Sequence, residues 1–172
     1  LLKVIEEPNE NIFFILINNN EKYILPTLKS RCLTFKIYLT FDQSMNVSNQ
    51  LLNANLFDLI NHDLISYYNT PGEIINLFNF SKDKSLDLRD YTLINFLNLL
   101  IDNGYYKKNK LVKNLLVNFI ELFFLKEYRL NSSRKSLIKI YQNFVAKIYN
   151  TEKFNLDEES VFLEFKSKLL NG

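Results

Sequence analysis

The sequence predicts a mainly α-helical chain that opens with a short mixed α/β segment. Three observations carry that expectation. Only three Gly and three Pro interrupt 172 residues, too few for a turn-rich sheet protein. Hydrophobic residues make up 47% of the chain, with Phe and Tyr but no Trp, enough for the core of one ordinary domain or two small ones. Beyond Thr40 the apolar residues recur at helical spacing, whereas strand-like patterns are confined to the residues before it.

In chain order, Leu1, Leu2, Val4 and Ile5 share one helical face, and Pro8 stops that helix because it cannot continue the backbone ladder. Residues 12–17, "IFFILI", are a continuous apolar run bounded by Asn, the pattern of a strand buried on both faces. "EKYILPTLKS" then crosses over to a second run, in which Leu33, Phe35 and Ile37 alternate with Thr34, Lys36 and Tyr38 as in an edge or half-exposed strand. Two strands and one helix cannot bury both faces of a sheet, so more sheet is expected upstream of Leu1. The absence of an initiating Met, inside a helical pattern, also reads as a fragment.

Leu51, Leu52, Phe57, Leu59, Ile60, Leu64 and Ile65 predict two or three short helices broken by Asn and Asp. In "NTPGEIINLF", Thr70 is placed as N-cap, Pro71 at N1 and Glu73 at N3, a capping box with proline where its missing donor costs least. That helix is expected to end near Phe80, with "SKDKS" as a polar linker. Longer helices follow. Leu93, Ile94, Phe96, Leu97, Leu100 and Ile101 mark the first, closed by Gly104 in a left-handed conformation. Leu111, Leu115, Phe119, Leu122 and Phe123 mark the second, and Leu137, Tyr141, Phe144, Val145 and Ile148 the third. The last carries Val161, Phe162, Phe165 and Leu169, with Asn155 expected as N-cap and Glu158 at N3. No internal repeat is present.

The formal charge of +2 is too near balance to argue for nucleic acid or an anionic membrane. A single cysteine excludes an intramolecular disulfide and a cysteine zinc cluster within this chain, and fits a reducing, cytoplasmic compartment. No apolar run reaches the roughly 18 residues of a membrane span, and no secretory signal pattern opens the chain.

Candidate chemistry is sparse. His62, the only histidine, lies between the turn formers Asn61 and Asp63 and reads as a surface or cap residue, with a catalytic triad member as the alternative. Cys32 follows Arg31, whose charge lowers a thiol pKa, but a buried, unreactive thiol is the expectation. Asp157, Glu158 and Glu159 complement a helix dipole without requiring a metal. Lys107, Lys108, Lys110 and Lys113 with Tyr105 and Tyr106 are either a solvated face or a phosphate-backbone contact. No Gly-rich phosphate loop and no HExxH motif occur. On local chemistry alone Arg31, between Ser30 and Cys32, reads as a surface charge.

Taken together, "LLKVIEEPNENIFFILINNNEKYILPTLKSRC" and the later "YNTPGEIINLF" resemble the bacterial clamp-loader subunits of the AAA+ class. There a helix ending in a similar LEEP segment leads to a buried strand and an SRC motif, and a GSPG segment opens the last lid helix. Asn69 stands here in place of the first glycine of that segment. The resemblance is close over residues 1–39, and over 84–172 it consists only of a helical bundle. It implies residues 1–40 as the C-terminal part of an AAA+ nucleotide-binding domain, 41–80 as a helical lid and 84–172 as a helical collar for oligomerisation.

Within that family, ATP-hydrolysing motor subunits (gamma or tau) carry a sensor-2 arginine where this sequence has Gly72. The resemblance therefore favours the delta prime type, which keeps the SRC arginine without hydrolysing ATP. It implies that Arg31, flanked by Ser30 and Cys32, is a finger offered in trans to the γ-phosphate of ATP bound with Mg by a neighbouring subunit. No cofactor or metal of this chain's own is implied. The implied partners are gamma/tau and delta subunits, the sliding clamp and, through the whole complex, primer-template DNA. Asn18 and Asn19 occupy the place of a sensor-1 polar residue but are read here as turn formers, with the sensor as the alternative. An ATP-hydrolysing subunit with an intact upstream P-loop, and a helical adaptor of accidental resemblance, are the competing readings.

Overall fold

The computed structural model describes residues 11–18, 24–130 and 134–170. The helix expected before Pro8, and Asn19, lie outside the described residues. The chain divides into two compact units, Leu1–Tyr38 and Leu39–Gly172.

In the first unit the described residues form one element, the helical turn α1 (Pro26–Lys29), begun by Pro26 at its N-terminus. The two expected strands are corrected. Neither 12–17 nor 33–38 belongs to a β-ladder, and no strand occurs among the described residues. Ile15 and Ile17 are 86% and 94% exposed, and Leu33, Phe35 and Ile37 are also exposed. The reason is physical: a strand exists through hydrogen bonds to a neighbouring strand, and apolar alternation cannot supply that neighbour.

Among the described residues every regular element of the second unit is helical. Helix α2 (Phe41–Leu52) opens with a capping box: Gln43 N donates to Thr40 Oγ1 at 3.3 Å, and Thr40 N to Gln43 Oε1 at 2.9 Å. Asn53, at φ 52°, ends it in the left-handed conformation that Asn tolerates. Two 3₁₀ turns follow, Leu56–Asp58 capped by Asn55 and His62–Leu64 capped by Asn61. They drive Leu56, Ile60 and Leu64 fully into the core.

Helix α3 (Pro71–Asp83) starts as expected at Thr70 but runs through the first part of the supposed linker. Ser81 is buried and returns its hydroxyl to Phe78 O at 2.7 Å, so its polarity is satisfied inside the helix. Ser85, at φ 53°, then turns the chain, and Leu86 N donates to Ser81 O at 2.8 Å.

Helix α4 (Leu93–Asp102) is capped by Thr92 and closed by Gly104 at φ 60°, where a Cβ would meet the Lys107 side chain at 3.3 Å. A 3₁₀ turn, Tyr105–Lys107, leads to α5 (Lys110–Leu130); α6 (Arg134–Phe154) and α7 (Glu159–Phe165) follow, and π-helical Lys166–Leu170 continues α7. Asn155 is not the expected N-cap. At φ 51° it closes α6, and α7 begins four residues later, where Glu159 N donates to Asp157 Oδ1 at 3.1 Å. The sequence "NLDE" thus splits between ending one helix and starting the next.

One core runs through this unit. Phe96 packs edge-on against Phe119 at 5.2 Å and Tyr91 at 5.8 Å, and Phe80 of α3 meets Phe96 and Tyr105. Phe123, Phe124, Phe144, Phe162 and Phe165 extend the cluster across α5, α6 and α7.

Candidate functional site

The SRC residues sit immediately after α1. Ser30 N closes the turn onto Pro26 O at 2.9 Å, and Ser30 Oγ donates to Thr27 O at 3.1 Å. Arg31 N donates to Leu28 O at 3.1 Å, fixing the residue one step beyond the helical turn. Its guanidinium folds back, Nη1 donating to Thr27 O at 2.8 Å and reaching Ser30 Oγ at 3.5 Å. A cation over the last carbonyls of a helical turn is favourably placed, because those carbonyls carry the negative end of the local dipole. Arg31 is exposed, and Cys32 is half-exposed rather than buried. The turn therefore presents a planar five-donor fork from a short, proline-initiated segment. Asn18 is exposed in a segment without regular structure.

Gly72 belongs to the second unit, at the second position of α3. Nothing lies within 4 Å of a Cβ built there, and its backbone is ordinary helix, so no packing demand explains the glycine. The turn ahead of it is built by Asn69, whose Oδ1 accepts from Ser66 N at 2.6 Å and whose carbonyl accepts from Ser44 Oγ at 2.7 Å. Asn69 thus closes the turn onto Ser66, its side chain accepting from Ser66 N and its own N–H donating to Ser66 O at 3.1 Å. Glu73 completes the capping box on Thr70 N at 2.9 Å.

The other candidates resolve structurally. His62 is exposed and stacks on Phe57, centroids 4.1 Å apart. Within the basic cluster, Lys113 bonds Glu152 and Glu158, and Lys107 pairs with Glu159 at 2.7 Å. Burial lowers the Lys113 pKa, but the two carboxylates outweigh it and leave the ammonium above its ordinary value. Tyr106 is buried against Phe162, its hydroxyl pushed up to about 12 by burial first and then by Glu159, Asp157 and Glu158. The acidic and basic clusters hold the α5 N-terminus to the α6–α7 corner. Lys108 and Lys110 are exposed.

Long-range polar contacts escape the sequence. Asp63 accepts from Leu93 N at 2.6 Å and from Lys126, whose Nζ also donates to Asp63 O at 2.7 Å. Burial works against its ionisation, but the Leu93 bond and Lys126 together keep its pKa below the ordinary 3.8. Asn118 Nδ2 donates to Glu73 Oε1 at 2.9 Å. These partners are 30 to 63 residues apart, beyond any local periodicity. Among the described residues no His, Cys, Asp and Glu cluster is arranged to hold a metal, and no helix is long and apolar enough to cross a membrane.

Residues 1–40 match the family model described as DNA polymerase III, delta subunit. Over 171 residues the chain is 30% identical to the DNA polymerase III subunit delta' of Buchnera aphidicola subsp. Schizaphis graminum, covering 90% of this chain and 49% of that protein. It is 50% identical over 38 residues to the subunit delta' of Buchnera aphidicola subsp. Baizongia pistaciae, 22% of this chain and 11% of that one. The chain thus spans about half the length of the first of these relatives. No solved structure matches. The resemblance to the delta prime type is borne out, and similarity over 90% of the chain argues against an accidental match of its first residues.

Proposed function

We propose that this chain is a portion of a delta-prime-type clamp-loader subunit acting in DNA replication, and that Arg31 serves the active site of a neighbouring ATPase. The observation that carries the reading is the Ser30-Arg31-Cys32 motif, presented directly after a proline-initiated turn inside the residues that match the family model. In this reading Arg31 stabilises the charge that develops on the γ-phosphate as the neighbour's bound ATP is cleaved. Its backbone is anchored by Leu28 O, and its fork swings from Thr27 O to the phosphate oxygens. A charge-assisted bond to an anionic oxygen is stronger than one to a neutral carbonyl. The subunit itself does not hydrolyse ATP. Gly72 supports that half of the reading, since open space for a side chain exists there and no cation fills it. The partners are the gamma/tau and delta subunits of the loader, with the sliding clamp and primer-template DNA as its cargo.

The test replaces Arg31 in the full-length subunit within a reconstituted loader. Arg31→Ala should leave assembly intact and slow hydrolysis at the facing site by about 10³-fold or more. Arg31→Lys should rescue little, because an ammonium cannot reproduce the bidentate fork. Unchanged clamp-stimulated hydrolysis in a fully assembled Arg31→Ala loader would overturn the finger, and robust hydrolysis by the isolated subunit would overturn its non-hydrolysing role.

A further inference from the structure

In the second unit, an open groove of about 390 Å³ lies among α3, α5 and α6. It is lined by apolar Leu122, Leu125 and Leu137, and by two carboxylates, Glu73 and Glu121. Tyr128 and Tyr141 also line it, and among the described residues no Lys or Arg lines it. The volume lies in the range of ligand-accepting clefts, and the lining is apolar with a few convergent polar groups.

The carboxylates retain accepting capacity. Glu73 receives Asn118 on one oxygen and Thr70 N on the other, with a long 3.5 Å contact from Asn69 Nδ2 on that second oxygen, while an ionised carboxylate offers about four lone-pair sites. Glu121 is exposed and accepts only a long 3.4 Å contact from the Tyr141 hydroxyl among the bonds described. The Tyr141 pKa is raised, first by burial and then by the Glu121 charge, so the negative potential is felt inside the groove.

A small hydrated cation would satisfy the carboxylates but leave the leucines bare. A purely apolar segment would cover the leucines and strip water from two carboxylates without replacement, which is costly. A guanidinium flanked by apolar side chains meets both demands. It donates to carboxylates in a planar fork and stacks on tyrosine faces, which an ammonium does less well.

We propose that this groove docks a partner protein through an arginine set among apolar residues, with the guanidinium against Glu121 and Glu73 and the flanking side chains on Leu125 and Leu137. The proposal is independent of the role given to Arg31. The groove lies wholly within the second unit.

The probe is an acetylated, amidated peptide with one arginine between paired leucines, titrated into the full chain and followed by backbone amide shifts. Shifts should concentrate at Tyr128, Leu137 and Tyr141, and a glutamate-centred peptide should bind at least about tenfold more weakly. Glu121→Gln, at an exposed position, should weaken the arginine peptide about tenfold with unchanged circular dichroism, and added salt should weaken it in the wild-type chain. Absence of binding, equal binding of the two peptides, indifference to Glu121→Gln, or shifts centred elsewhere would each overturn the proposal. Butylguanidinium binding as tightly as the peptide would overturn the protein partner and leave a free organic cation as the ligand.

Discussion

The two units spend similar apolar sequence in opposite ways. In the first, Ile15, Ile17, Leu33, Phe35 and Ile37 are all more than 80% exposed, whereas in the second Phe96, Leu97, Leu116 and Ile120 are fully buried. Both regions are patterned for burial. The difference lies in what each kind of element requires: a helix satisfies its own backbone and needs only one stripe covered, whereas a strand needs neighbours on its edges as well as cover on its faces. The helices of the second unit cover much of one another's apolar stripes in a shared core. The described part of the first unit carries no partner for its extended runs.

The sharpest way to break this comparison is to truncate one apolar residue from each unit. Phe96→Ala removes a ring packed on Phe80, Tyr91 and Phe119 and should cost about 3–5 kcal/mol in urea unfolding. Ile15→Ala should stay within about 0.5 kcal/mol, since no core is disturbed. A comparable loss at Ile15 would mean that the first unit buries it after all.

Next in size is the cap of α3. Thr70→Ala deletes the acceptor for Glu73 N and should lower stability by about 1 kcal/mol, read by the same unfolding curve. Lys126→Met tests the bond that ties α5 to the 3₁₀ turn carrying Asp63; both groups are partly exposed, so the loss should be no more than about 1 kcal/mol. Its pH dependence has a definite sign. Asp63 has a folded pKa below 3.8, so its contribution is fully present above that value and fades as pH falls through the lowered folded value. The Lys126→Met variant should therefore lose less stability on acidification below pH 3.8 than the parent does. The smallest effect is expected at Gly72→Ala, where open space and helical backbone predict a neutral to slightly stabilising change of roughly 0.5 kcal/mol. Clear destabilisation there would show that the glycine serves packing rather than the absence of a cation.

Much of the helical unit was legible in advance because its signals are local. Thr70, Pro71 and Glu73 announce a helix start within four residues, and Gly104 a helix end, and the structure places each as expected. The misreadings arose where one residue type serves two roles. Asn155 caps starts by its side chain and closes ends by its left-handed backbone, and the second use prevailed because α6 runs on to Phe154. Ser81 looked like linker, yet its hydroxyl bonds its own helix and lets the chain bury it. Of the candidate site, the SRC motif around Arg31 was readable from its resemblance while the helical turn before it was not, and neither was the groove between Glu73 and Glu121, because its walls come from three helices distant in sequence.

By itself, then, the sequence determined the helical class, the capping of α3, the SRC motif around Arg31 and the kinship carried by its first forty residues. Those properties depend on neighbours a few positions away. Only the tertiary structure decided that Lys107 and Lys113 of the basic cluster pair with Glu152, Glu158 and Glu159, that Asp63 is held by Lys126, and that an acidic, tyrosine-lined groove opens beside α3. Charge pairs and cavities arise where helices cross, and the crossing is set by core packing that no single stretch of chain encodes.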